Sequence, residues 1–137
     1  MVRGVVVDSN VWVSALVFGG APRQVFETIV RDGLRLVVSA EILTEVRRVV
    51  AAKFPDFADD VEALLGVLRD LIDSVPLGSI TVEVSRDPDD NRVLETAILG
   101  GATAIVTGDK DLLDLGSYEG VAIMRPAEWI ERRSAQS

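Results

Sequence analysis

Val5-Val6-Val7 is an apolar, β-branched run that ends abruptly at Asp8. It lacks polar alternation, so it reads as a strand covered on both faces, as in a parallel sheet. Such a sheet needs helices on its faces, and the rest of the chain supplies them. Ser9 is placed to cap a helix carrying Val11, Trp12, Ala15 and Leu16, which Gly19-Gly20 ends. Pro22 sits in the first turn of a second helix with Val25, Phe26, Ile29 and Val30 as its apolar stripe, closed by Gly33. Leu34 to Val38 is the next strand, and Ser39 caps a helix bearing Ile42, Leu43, Val46, Val49 and Val50 that stops before Pro55.

Phe57, Val61, Leu64, Leu65, Leu68, Leu71 and Ile72 keep helical spacing, which predicts one long amphipathic helix. Ile80 to Val84 reads as a β-rich stretch, and Pro88 to Leu99 as a helix closed by Gly100-Gly101. Thr103 to Thr107 is a strand, Asp111 to Leu115 a short helix, Val121 to Met124 a last strand and Pro126 to Arg132 a closing helix. This alternation predicts an α/β fold, with helices packed on a mainly parallel sheet. At 137 residues the chain is expected to be a single domain over 1–133, with Ser134 to Ser137 as a loose tail. No apolar run approaches a membrane span and the start is too polar for a signal peptide, so the expected compartment is the cytoplasm, with no membrane partner.

The chain has no cysteine and no histidine. That excludes a thiol nucleophile, a thiolate or imidazole metal site, a histidine base and a Ser-His-Asp triad. The remaining chemistry is carboxylate, hydroxyl, amide and a few basic groups, which suits hard oxygen-ligated cations. A net charge of −8 also disfavours passive nucleic-acid binding.

Acids recur where strands end. Asp8 follows the first strand, Asp87-Pro88-Asp89-Asp90-Asn91 opens the helix after Ile80–Val84, and Thr107-Gly108-Asp109-Lys110-Asp111 follows the strand ending at Val106. Glu45 lies deep in the third helix, flanked by apolar Ile42, Leu43 and Val46. Taken singly, each has an ordinary explanation. Asp87 before Pro88 is a helix cap, Asp109 and Asp8 are placed to cap, and Glu45 is a solvated helix acid. Capping does not explain their joint placement at one end of a sheet. There, like charges repel unless a divalent cation lies among them.

Other residues carry weaker signals. Trp12, Trp129 and Phe18 are expected in the core rather than stacked on bases. Arg47-Arg48 and Arg132-Arg133 read as solvated surface pairs, and Lys110 as a salt-bridge partner of its flanking acids. Ser9, Asn10 and Thr107 are either supports for the acids or ordinary turn and cap residues. A signalling receiver domain fits poorly, because Asp8 stands alone after the first strand and the second strand ends in Val38-Ser39. A haloacid-dehalogenase-type phosphatase fits poorly too, because Asn10 stands where a second Asp is needed.

Four segments together resemble PIN-domain proteins: Val5 to Val11, the Ser39…Glu45 helix, Asp87 to Ala97, and Val106 to Leu113. The likeness is to the branch of toxins in toxin–antitoxin pairs, similar to VapC toxins. It extends over essentially the whole chain. It implies a three-layer α/β/α fold with a central, mainly parallel sheet. It also implies Mg²⁺- or Mn²⁺-dependent endoribonuclease activity, leaving a 5′-phosphate and a 3′-hydroxyl. In that pattern Asp8, Glu45, Asp90 and Asp109 are the metal-binding and catalytic acids. Asp111 is an additional or outer acid, and Asn10 and Thr107 support the site. Asp87 and Asp89 compete with Asp90 for the ligand position, and Asp87 is assigned to capping. Gly108 departs from the commoner toxins, which often carry Asn there. The resemblance further implies an RNA substrate, a cognate antitoxin and a homodimer formed through the first helices. With Arg23, Arg47, Arg48 and Lys110 as the basic residues nearest the site, a local positive rim is expected to offset the acidic balance. A PIN module that binds without turnover is the alternative reading.

Overall fold

The computed structural model describes residues 3–136. β1 (Gly4–Val7) is buried at every position, so helices cover the sheet on both faces. It lies between β2 (Arg35–Val38) and β4 (Ala102–Val106), and pairs with both in parallel. β3 (Ile72–Ser74) extends the sheet beyond β2, and β6 (Val121–Met124) extends it beyond β4. A short β5 (Ser117–Tyr118) adds the single antiparallel edge, in the order β3-β2-β1-β4-β6-β5. The chain therefore runs outward in one direction through β1, β2 and β3, then restarts on the other side at β4. Ligands of such sheets bind beyond the carboxyl ends of the strands at that switch, here between β1 and β4.

The helices are α1 (Ser9–Val17), α2 (Gly20–Asp32), α3 (Ala40–Lys53), α4 (Ala58–Leu68), α5 (Pro88–Gly100), α6 (Lys110–Leu115) and α7 (Pro126–Gln136). α2 packs on α1 and α7, α3 touches α1, α4 and α5, and α5 lies along β1, β2 and β4. The arrangement is the expected layered α/β fold. Trp12 ties α1 to the sheet: its indole Nε1 donates to the Val7 carbonyl at 3.0 Å while its ring packs on Phe26. Gly100 lets α5 approach closely, since a methyl group there would overlap the Val37 side chain on β2. No helix among the described residues is long and apolar enough to cross a membrane.

The structure corrects several sequence expectations. Ile80 to Val84 is not a strand but part of the loop before α5, and both Ile80 and Val84 are exposed. The third strand is Ile72–Ser74, which pairs with the free edge of β2. The long helix predicted from Phe57 to Ile72 is accordingly divided. Phe57 closes a 3₁₀ turn, α4 ends at Leu68, and a second 3₁₀ turn leads into β3. The apolar period continues through Leu71 and Ile72, but Leu71 ends the second 3₁₀ turn and pairing with β2 takes Ile72 into the sheet. The expected loose tail is also shorter. With no Gly or Pro after Arg132, α7 continues through Ser134 to Gln136, and Ser137 lies outside the described residues. Phe18 is 74% exposed, with only an edge contact to Phe54, whereas Trp12 and Trp129 are buried as expected.

Candidate metal centre at the carboxyl edge of the sheet

Three backbone segments deliver acids to the β1/β4 switch. Asp8 leaves β1 with its amide still bonded to the Val106 carbonyl of β4, at 2.9 Å. It, rather than Ser9, is the cap of α1, and one carboxylate oxygen accepts from the Ser9 amide at 2.8 Å. The other accepts from the fully buried Thr107 hydroxyl at 2.8 Å. Thr107 Oγ1 also accepts from the Asp109 amide at 3.0 Å, so this hydroxyl links the two acids. Asn10 spans the same gap: its Oδ1 accepts from the Gly108 amide at 3.4 Å, and its Nδ2 lies 3.5 Å from Asp8. The Gly108 position therefore keeps a backbone tie to Asn10.

Asp109 caps α6 through the Leu112 amide. Asp87 caps α5 through the Asp89 amide at 2.9 Å, as its place before Pro88 predicts. Asp89 is half-buried and pairs with Arg92 at 2.5 Å. The acid that turns inward is Asp90, which is 4% exposed. Carboxylate oxygens of Asp90, Asp109 and Asp111 come within 4.8 Å of one another. Asp8 and Glu45 stand outside that close group, and charge couples them to it. Glu45 and Asp109 both push the Asp8 carboxyl upward, while Asp109, Asp87 and Asp8 push Asp90.

Burial is the larger cause in each case. It raises Asp8 to about 6 and Asp90 to about 7, against hydrogen bonds from Thr107 and Ser85 that pull the other way. Glu45 is also raised, by partial burial and then by repulsion from Asp89 and Asp87, with Ser9 and Arg48 opposing. Acids and not cations are the charges that act on Asp8 and Asp90, and at Glu45 the distant Arg48 offsets only part of the rise. The donors are all hard oxygens, several within reach of a single ion, and the chain contains no thiolate or imidazole. The set fits a divalent cation of the Mg²⁺ or Mn²⁺ type.

Residues 4–111 match the family described as "PIN domain". The chain belongs to the PIN domain family. Its fold also resembles a chain of VapBC2 from Rickettsia felis, in the crystal structure of that complex bound to a DNA fragment from their promoter. That match has a TM-score of 0.59 at 11% identity, and it covers 88% of this chain and 97% of the other. A search of curated proteins found no match.

Within this PIN domain, sequence reasoning overlooked Ser85 and the role of Asn91. Ser85 Oγ donates to Asp90 Oδ2 at 3.1 Å. Asn91 holds Ser85 from both sides, accepting from its amide at 2.8 Å and donating to its carbonyl at 2.9 Å. This clamp folds the loop before α5 onto the acid. The signal for it is the Ser-x-Asp-Pro-x-Asp-Asn spacing, which starts immediately after the Ile80–Val84 stretch. The basic residues are mostly engaged elsewhere. Arg23 donates to the Ala15 carbonyl, Arg47 pairs with Glu62 through two bonds, and Lys110 pairs with Asp114 rather than with its flanking acids. Arg48 remains at the acid edge, 3.8 Å from Glu45, and Arg86 reaches Asp111 at 3.9 Å.

Proposed function

We propose that this PIN domain is a Mg²⁺- or Mn²⁺-dependent endoribonuclease and the toxin of a toxin–antitoxin pair. The observation that carries the nuclease reading is the convergence of Asp8, Asp90 and Asp109 from three separate segments, two of them buried and pushed toward neutrality. A fold concerned only with stability would not gather them, because each ionised neighbour raises the cost of the next.

Asp90, Asp109 and Asp111 would hold the ion, with Asp8 completing its surroundings. When bound, a divalent ion supplies Lewis-acid stabilisation of the negative charge that builds up on a phosphoryl group. The chain's own groups do the rest. Thr107 fixes the Asp8 carboxylate by donating to Oδ2, and Ser85 fixes Asp90 in the same way. Asn10 keeps the loop after β4 against α1. Glu45, whose proton affinity is raised, accepts a proton at its carboxylate from the attacking water. The water oxygen bonds to phosphorus in line with the departing O3′. The P–O3′ bond breaks, and O3′ takes its proton from solvent. The products carry a 5′-phosphate and a 3′-hydroxyl.

The toxin role is supported by the likeness to a chain of the VapBC2 complex. With that role we propose a cognate antitoxin as partner, and a homodimer. The test is incubation of the purified protein with tRNA, rRNA and short single-stranded RNA in Mn²⁺ or Mg²⁺. EDTA and an Asp8→Asn, Asp109→Asn variant run in parallel. Cleavage that disappears in both controls is expected. Equal cleavage by the variant would sink the residue assignment. No cleavage despite metal binding would leave the non-catalytic PIN module as the better reading.

A further inference from the structure

The carboxyl edge of the sheet ends in a row. Val7 pairs with Val106, and Val106 with Met124, so Asp8, Thr107 and Arg125 directly follow three adjacent parallel strands, β1, β4 and β6. Backbone bonds hold the row level. The Asp8 amide donates to the Val106 carbonyl at 2.9 Å, and the Thr107 amide to the Met124 carbonyl at 3.0 Å. Neighbouring strands lie about 4.8 Å apart, so the Arg125 backbone stands roughly 10 Å from that of Asp8. The step between them is open. Gly108 is exposed, and a Cβ added there would meet only Asn10 Oδ1, at 3.9 Å.

Arg125 is exposed, and among the described residues its side chain makes no hydrogen bond or ion pair. That is unexpected in a chain where 22 acids face 14 bases. The basic side chains that share this freedom are Arg3, before β1 at the opposite edge, and Lys53, at the end of α3. The acids nearest in the chain are taken by other groups. Asp109 caps the Leu112 amide, Asp111 meets Arg86 at 3.9 Å and Asp114 pairs with Lys110 at 3.0 Å. Arg125 is thus the uncommitted cation of the acid edge. Packing does not use it either. Met124 before it and Trp129 after it are buried, while Arg125 contributes only its carbonyl, which accepts from the Trp129 amide.

We propose that Arg125 holds a backbone phosphate of the RNA strand on the β6 side of the cleaved bond. The strand then runs from the acids over Gly108 toward β6. This inference rests on the ribonuclease reading and gives the substrate a direction across the site. The net charge of −8 and the acids themselves repel a polyanion, so a local cation is needed where the strand leaves them. A guanidinium presents a planar fork that matches phosphate. One without an internal partner binds it without first breaking an ion pair.

The test uses the full chain carrying Asp8→Asn and Asp109→Asn, which is expected to bind without turnover. A fluorescent single-stranded RNA is read by anisotropy across a salt series. In that background Arg125→Ala is expected to weaken binding several-fold. It also lowers the slope of log K against log salt by about 0.7, the value for one phosphate on a single strand. Arg125→Lys keeps the slope, since the charge remains, and loses part of the affinity with the fork. Arg3→Ala removes the same charge at the opposite edge and is expected to match the parent. In the otherwise wild-type chain, Arg125→Ala raises KM with little change in kcat, and its melting temperature stays that of the wild type. If Arg125→Ala binds RNA as the parent does, the subsite is overturned, and cleavage by the wild type would leave the nuclease reading standing. Equal losses in Arg125→Ala and Arg3→Ala would reduce the effect to overall charge and overturn it too. A loss confined to Arg125→Ala, in a protein that binds RNA and never cleaves it, would keep the subsite and remove the nuclease. If the parent binds no RNA and the wild type cleaves none, both readings fall together.

Discussion

The two edges of the parallel sheet treat charge in opposite ways. At the edge where the strands begin, Arg35 of β2 donates to Asp73 of β3 at 2.6 Å and to the Gly100 carbonyl at 2.7 Å. Its other terminal nitrogen reaches the Gly101 carbonyl at 3.4 Å, so one guanidinium joins two strands to the end of α5. At the edge where the strands end, acids face acids, hydroxyls and amides orient the buried carboxylates, and the arginines that approach, Arg48 on Glu45 and Arg86 on Asp111, make only long, exposed pairs. The first edge is built for stability. The second keeps an electrostatic strain that a bound cation would relieve, and functional sites commonly sacrifice stability in this way.

The sharpest way to break this contrast is Asp90→Asn. RNA cleavage is expected to fall by more than about 100-fold, beyond the 10–100-fold typical of losing a partner behind a metal ligand. At pH 8 the same change stabilises the metal-free protein by on the order of 2 kcal/mol, because a penalised charge is gone. Kinetics and thermal melts on one variant check both halves. A variant that lost activity and stability together would show that Asp90 is a structural acid.

Titration probes the same edge. Asp8 and Asp90 protonate near 6 and near 7 in the fold, against 3.8 for an ordinary aspartate. The native state therefore holds more protons than the unfolded chain between about pH 4 and pH 7, and metal-free stability falls as pH rises through that window. At about 1.4 kcal/mol per pH unit, the displacements of the two acids together bound the loss at roughly 7 kcal/mol. Urea midpoints at several pH values measure it, and saturating Mn²⁺ should flatten the slope. Stability that rose with pH instead would mean the acids are already compensated within the fold.

Thr107→Val removes the hydroxyl that links Asp8 to Asp109 while preserving shape. Activity or metal affinity is expected to drop about 10–100-fold, with the fold intact by circular dichroism. The smallest effect belongs to the opposite edge. Arg35→Ala should cost about 1–2 kcal/mol, since the pair is partly exposed but two carbonyls lose a donor. Mn²⁺ affinity should not change, and a loss there would mean that the two edges are coupled.

Much of this was legible residue by residue. The unbroken apolar run before Asp8 announced a strand covered on both faces. Pro88 after Asp87 announced a capped helix. Acids just after Val7 and just after Val106 announced a charged edge, although the block at Asp87 to Asp90 follows a loop and not the expected strand. These signals are local, because burial period, cap chemistry and helix dipoles act within a few residues of the chain.

Other features depend on contacts between distant segments. Leu71 and Ile72 continue a helical period, yet the free edge of β2 offers ladder bonds that α4 cannot match, so β3 begins there. Asp87, Asp89 and Asp90 are chemically alike and adjacent. Only the rotation of α5 against the sheet makes the first a cap, the second an Arg92 partner and the third a buried acid. Ser85 reaches Asp90 because Asn91 folds the loop back just beyond the Ile80–Val84 stretch. The sequence by itself determined where β1 runs, which residues cap the helices and where acids gather, since those choices are settled by neighbours in the chain. The tertiary structure decided which segment takes the open edge of β2, which of three aspartates turns inward and which serine holds it, since those choices depend on groups that meet only once the chain has folded.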